Sequence, residues 1–242
     1  MRRCRLSLVL LLGLTASFAT AAAPTERDNP PKIERTEKTI EGWKILTDRR
    51  LLEGEKAELG RRVERLLEAN LNELVEIMPA EALAKLRKVT IVVDLDHGKL
   101  TSMQYHPSAG WLTGHGYEAD LAKKVHVPVA ARYVDKNHRR VQPWCMLHEL
   151  AHAYHDQVLS FDHAEIRAAY DAAKASGTYD KVLHIQGNTT KHYALTTPME
   201  YWAELSEAYI GTNDFYPFVR SELKRHDPKA YELLEKYWGK LP

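Results

Sequence analysis

Between Cys145 and Leu159 the chain reads CMLHELAHAYHDQVL, and this stretch has few ways to fold. On a helical wheel Met146, Leu147, Leu150, Ala151, Ala153, Tyr154 and Val158 fill one broad side. His148, Glu149, His152, His155 and Asp156 gather on the other. The spacing predicts a helix buried along its apolar side. Its polar side is unusual. Solvated faces usually carry Lys or Arg, yet neither occurs from Val141 through Glu165. Three histidines and two acids without a base read as a site.

Chemistry narrows the site further. His148 and His152 are one helical turn apart on one face, where two imidazoles can reach one zinc ion at roughly 2.0–2.1 Å. Glu149 projects about 100° around the helix from His148. From there it can reach a water at the metal without being a ligand, and so act as general base. A catalytic zinc usually takes a third protein ligand and keeps one position open. The metzincin pattern would place that third ligand at residue 158 with a glycine at 155. Here those positions hold Val158 and His155, which excludes that class. His155 suits a place behind the ligands or facing substrate, and Asp156 is grouped with it.

The third ligand is sought in Thr197-Pro-Met-Glu-Tyr-Trp-Ala-Glu-Leu-Ser-Glu207. Met199, Trp202, Ala203, Ser206, Tyr209 and Ile210 form a buried stripe, with Glu200, Glu204 and Glu207 on its shoulder. Thr197 suits an N-cap and Pro198 the first helical position, so Glu200 also completes a capping box. Spacing alone leaves Glu200 and Glu204 as equal candidates for the ligand.

The N-terminus is of a different material. Met1 to Arg5 is basic, Leu6 to Phe18 apolar, and Ala19-Thr-Ala-Ala-Ala23 small, which is the layout of a cleaved export signal over residues 1–23. Residues 24–35 read as a polar, Pro-rich leader, and 36–242 as one catalytic domain. A secreted or periplasmic location follows, with no membrane attachment after cleavage. Cys4 leaves with the signal, so Cys145 has no partner for a disulfide and reads as a small buried hydrophobe. A net charge of +1 without long like-charged runs leaves no electrostatic footprint for nucleic acid.

Along the domain, strands are expected at Thr39–Thr47, Val89–Leu95 and Lys124–Ala130, the last at a sheet edge because of Pro128. A further short extended piece, Ser102–His106, is the expected bed for substrate. Helices are expected at Gly54–Met78, Pro143–Leu159, His163–Ser176, Pro198–Ile210 and Pro217–His226, with one more after Pro228. The segment Gly177–Thr197 reads as a functional loop. His97, His106, His115 and His126 show no ligand spacing and read as surface or hydrogen-bonded side chains. Strands first and helices second give the class α+β: a small mixed sheet followed by a mostly helical half.

The strings His148-Glu-Leu-Ala-His-Ala-Tyr-His-Asp-Gln157 and Glu200-Tyr-Trp-Ala-Glu-Leu-Ser-Glu-Ala-Tyr-Ile-Gly-Thr-Asn-Asp-Phe-Tyr-Pro-Phe218 carry a resemblance. They resemble the catalytic domain of anthrax lethal factor and its relatives. They are closer still to the conidiation-specific protein 13 type of secreted proteins and their bacterial relatives. The resemblance implies a zincin-like fold and one catalytic zinc held by His148, His152 and Glu200. It also implies an oxyanion-stabilising Tyr193, seven residues before Glu200, and a supporting Glu204. The expected activity is that of a monomeric zinc metalloendopeptidase acting on a peptide or protein. Two rivals are a non-catalytic zinc-binding protein, whose closed site would need a fourth ligand such as His155 or His192, and a zinc hydrolase of a non-peptide bond.

Overall fold

The computed structural model of the chain describes residues 32–242. The expected signal peptide, 1–23, and residues 24–31 of the expected leader lie outside the described residues. The chain enters β1 (Arg35–Ile40), turns at Glu41-Gly42, and returns as β2 (Trp43–Asp48). Sequence alternation suggested one strand over Thr39–Thr47. Glu41 and Gly42 both take positive φ, 50° and 88°, the conformation of a two-residue hairpin turn, and they split that run in two.

Next come α1 (Ala57–Ile77), α2 (Ala80–Leu86), β3 (Ile91–Val93), β4 (Gln104–Tyr105), α3 (Ala109–Gly114) and β5 (Val125–Val127). The five strands form one mixed sheet in the order β1-β2-β3-β5-β4. β2, β3 and β5 run parallel, while β1 and β4 pair antiparallel at the two edges. β5 is therefore internal, contrary to the edge position suggested by Pro128. Pro128 follows the last paired residue, Val127, and so interrupts no ladder. The edge belongs to β4, inside the segment Ser102–His106. On the apolar stripe of α1, Val63, Leu66, Leu67, Leu71 and Leu74 are buried against the sheet side of the core.

The second half is helical: α4 (Ala130–Tyr133), α5 (Lys136–Val141), α6 (Cys145–Tyr154), α7 (Ala164–Ser176), α8 (Pro198–Ile210), α9 (Arg220–His226) and α10 (Pro228–Trp238). A small hairpin, β6 (Val182–Leu183) with β7 (Thr189–Thr190), lies within the expected loop between α7 and α8. α6 continues into one π-helical turn, His155–Leu159. α8 lies against α6: the Trp202 indole N–H donates to the Ala151 carbonyl at 3.1 Å, and the rings of Tyr154, Trp202 and Trp238 each pack against the other two. The central part of α8, Tyr201–Ile210, is buried on every side rather than along one stripe, because helices pack all around it. Among the described residues, no helix is long and apolar enough to cross a membrane.

The histidines expected to be surface or hydrogen-bonded side chains divide between those two kinds. His115 is exposed and stacks on Trp111. His97, His106 and His126 are buried together around Asp94 at the end of β3. His126 Nε2 lies 2.9 Å from Asp94 Oδ2, and His106 Nε2 lies 3.1 Å from His126 Nδ1. Arg35 grips both Asp94 oxygens, at 2.7 and 2.8 Å. Burial alone would raise the Asp94 pKa, but the Arg35, His126 and His97 contacts hold it well below the usual carboxylate range. The guanidinium already supplies the positive charge a metal would bring, so the cluster fastens β1, β3, β4 and β5 together. Asp94→Ala is expected to cost about 3 kcal/mol, the low end for a broken buried pair, because Arg35 keeps its 2.7 Å contact with Glu118. Urea unfolding of the variant beside wild type measures this.

Candidate metal centre

α6 carries His148, Glu149 and His152, and α8 carries Glu200, Glu204 and Glu207. The three glutamates are four and then three residues apart, so they form one stripe along α8. That stripe faces His148. At its N-terminal end, Glu200 Oε2 lies 3.1 Å from His148 Nε2 and 3.3 Å from His152 Nε2. The two imidazole Nε2 atoms are 3.1 Å apart. Donor atoms at corners of a tetrahedron around one zinc, about 2.0–2.1 Å from it, stand roughly 3.3–3.4 Å from each other. The three observed separations, 3.1, 3.1 and 3.3 Å, come within about 0.3 Å of that figure.

Electrostatics agree with geometry. Burial would raise the Glu200 pKa, but the two histidines pull it well below the usual range, so Glu200 is an anion. Burial would lower the His148 pKa, yet its contacts with Glu200 and Glu207 raise it well above that of a free imidazole. The space between these atoms therefore favours a positive charge, as a ligand set for a dication must.

The opposite edge of the His148 ring is also held. Nδ1 lies 2.7 Å from Glu207 Oε1 and 3.6 Å from Glu204 Oε1. An Nδ1–H donated to Glu207 leaves Nε2 as a lone pair aimed at the metal position. Burial raises both Glu204 and Glu207, Glu207 to about 7, because two carboxylates are sunk side by side. The resemblance implies the supporting role for Glu204 and does not single out Glu207. The available clue was the seven-residue step from Glu200, which returns to the same side of the helix. Glu207→Gln is expected to weaken zinc affinity about 10–100-fold. Competition against a chromophoric chelator reads that change.

Glu149 is buried beside the ligands, and its Oε2 accepts the Tyr105 N–H of β4 at 2.7 Å. Burial raises its pKa against the opposing pull of His148, His152 and that N–H. No sequence pattern announces a backbone donor, so this contact was not foreseen. Asp156 lies at the end of the same helix but turns to the sheet, accepting the Tyr105 hydroxyl at 2.5 Å and pairing with Lys123. His155 packs its ring against Phe161 and Trp202, and burial lowers its pKa to about 4. His192 accepts the Ala194 N–H at the start of the turn Tyr193–Leu195. Cys145 is packed against the core, and burial pushes its thiol pKa up, so it stays protonated.

Thr197 caps α8 as expected, its hydroxyl accepting the Glu200 N–H at 3.1 Å. The Glu200 carboxylate is turned to the histidines. The three ligands and Glu149 line a cleft of about 420 Å³, together with Tyr193 and the β4 segment Ser102–Tyr105. His148, His152 and Glu200 make a gluzincin-type triad for one catalytic zinc.

The chain carries a zinc-dependent metallopeptidase-like domain. No protein-family model and no curated protein matches its sequence. One similar solved structure is that of the Pro-Pro endopeptidase from Paenibacillus alvei, at 21% identity over 75% of this chain and 88% of that one, with a TM-score of 0.37. A likeness that low leaves the site's own geometry as the basis for function.

Proposed function

We propose that the chain is an exported zinc metalloendopeptidase that hydrolyses peptide bonds in the cleft above α6. The observation that carries this reading is a three-ligand set lining an open cleft. Among the described residues, the cluster includes no fourth ligand: His155 packs against Phe161, and His192 stops behind Glu204, 3.7 Å from its Oε2. A structural zinc is normally closed by four protein ligands, whereas a catalytic one keeps a position free. Zinc, when bound there, supplies Lewis acidity and lowers the pKa of water to about 7.

The chain's own groups supply the rest. Glu149, made more basic by burial, takes a proton from the attacking water and delivers it to the departing amine. Tyr193 is 47% exposed and lines the same cleft. Burial and nearby Glu200 raise its pKa, so the phenol keeps its proton and can donate to the developing oxyanion. Tyr193→Phe is expected to lower kcat about 10²–10³-fold with zinc content unchanged. Steady-state kinetics on a cleaved peptide measures it. β4 is an edge strand along the cleft, a place where an extended peptide can add.

The motif strings support placing the domain with the lethal factor-like peptidases, and residues 1–23 support export. N-terminal sequencing of the exported protein should find a mature end between residues 20 and 24. Mass-spectrometric profiling of a peptide library tests the activity. New termini are expected with the zinc-loaded protein and none with Glu149→Gln. Equal cleavage by both, or none by either, contradicts the reading.

A further inference from the structure

The cleft has two ends of opposite character. Around the triad its ionisable groups are acidic: Glu149, Glu204, Glu207 and Asp214 join Glu200 there. The other wall is formed by α4 and α5, from which Arg132 and His138 line the cleft. That wall is cationic and unsatisfied. Arg132, Lys136, Arg139 and Arg140 fall within nine residues, all exposed. None of their side chains has an ion pair among the described residues, although most arginines of the sheet half do. The nearest acid in sequence, Asp135, is engaged as the N-cap of α5, accepting the His138 N–H at 2.9 Å.

An unpaired guanidinium in a cleft is a receptor for a carboxylate, which it can meet with two parallel N–H donors. Neighbouring cations of the same short helix add to its field, and a cleft focuses that field on what enters. Gln104, Gln142 and Ser102 also line the cleft and add no charge to it. We propose that Arg132 forms a subsite for a substrate carboxylate, making acidic peptides the preferred substrate class. This rests on the peptidase reading above, for it assigns specificity to the same cleft. The carboxylate is an Asp or Glu side chain or a free peptide C-terminus. Both offer the same planar anion.

The test uses zinc-loaded Glu149→Gln protein, which retains the cleft, and two random octapeptide libraries, one with free and one with amidated C-termini. Captured peptides are sequenced by mass spectrometry, and wild-type protein is given the same libraries to cleave. Asp and Glu should be enriched about two- to fivefold over Asn and Gln at one position, the upper part of the range for an exposed ion pair. If the C-terminus is the ligand, amidation should instead reduce capture by that factor. Arg132→Gln in the same background should abolish the preference, and Arg132→Glu should reverse it toward Lys and Arg. Capture without acidic or C-terminal preference, a preference that survives Arg132→Gln, or no capture at all overturns the proposal. Cleavage without that preference leaves the peptidase standing and the subsite refuted. Acid-selective capture without cleavage does the reverse.

Discussion

Glu149→Gln is expected to lower peptide hydrolysis by about 10²–10⁴-fold while leaving one zinc per chain. The change removes one acid–base group and little else. Glu149 is not among the converging ligand atoms, so zinc retention follows. Its Oε2 accepts the Tyr105 N–H, and a glutamine carbonyl can accept the same bond. The carboxylate is buried and its pKa raised, so replacing it by a neutral amide does not strand a stabilising charge. The variant should therefore fold with wild-type thermal stability. Kinetics and zinc analysis on one preparation separate the outcomes. A variant that loses zinc would make Glu149 a ligand, and one that cleaves at the wild-type rate would remove it from the reaction.

Glu200→Ala is expected to reduce zinc affinity by more than the roughly 10–100-fold typical of a group that only supports a ligand. Its Oε2 is the single anion in the triad, and it comes from a different helix than the two histidines. Removing it leaves two imidazoles on one helical turn, a two-coordinate remnant. Helix α8 itself should survive, because Thr197 caps it through the Glu200 backbone N–H, which alanine keeps. Glu200→Gln, with its weaker neutral oxygen, should fall between alanine and wild type. Chelator competition orders the three proteins. An affinity for the alanine variant equal to wild type would move the third ligand to another residue, Glu204 being the next along the stripe.

Much of this centre was legible because its logic is local. A four-residue step places His148 and His152 together on any helix, and the apolar side of 145–159 says which way that helix faces. Helices α1 and α7 were legible for the same reason, through long periodic stripes. What escaped depends on contacts distant in sequence. Glu207 reaches His148 across 59 residues and Tyr105 reaches Glu149 across 44. Arg35, Asp94 and His126 meet only because the sheet brings the start of β1, the end of β3 and the middle of β5 together, so three histidines without ligand spacing form one buried cluster. Glu41-Gly42 hid a hairpin turn within an otherwise continuous alternation. The short helices α4 and α5 have too few turns to show a period, and with them the cationic wall of the cleft went unseen.

Geometry, charge and burial all place one zinc between His148, His152 and Glu200. Inductively coupled plasma mass spectrometry of the purified chain, supplemented with zinc and then exhaustively dialysed, tests that claim most directly. The expected result is one zinc per wild-type chain and a marked deficit in Glu200→Ala. Protein that emerges folded but without zinc, or that holds the same zinc with Glu200 replaced, contradicts it.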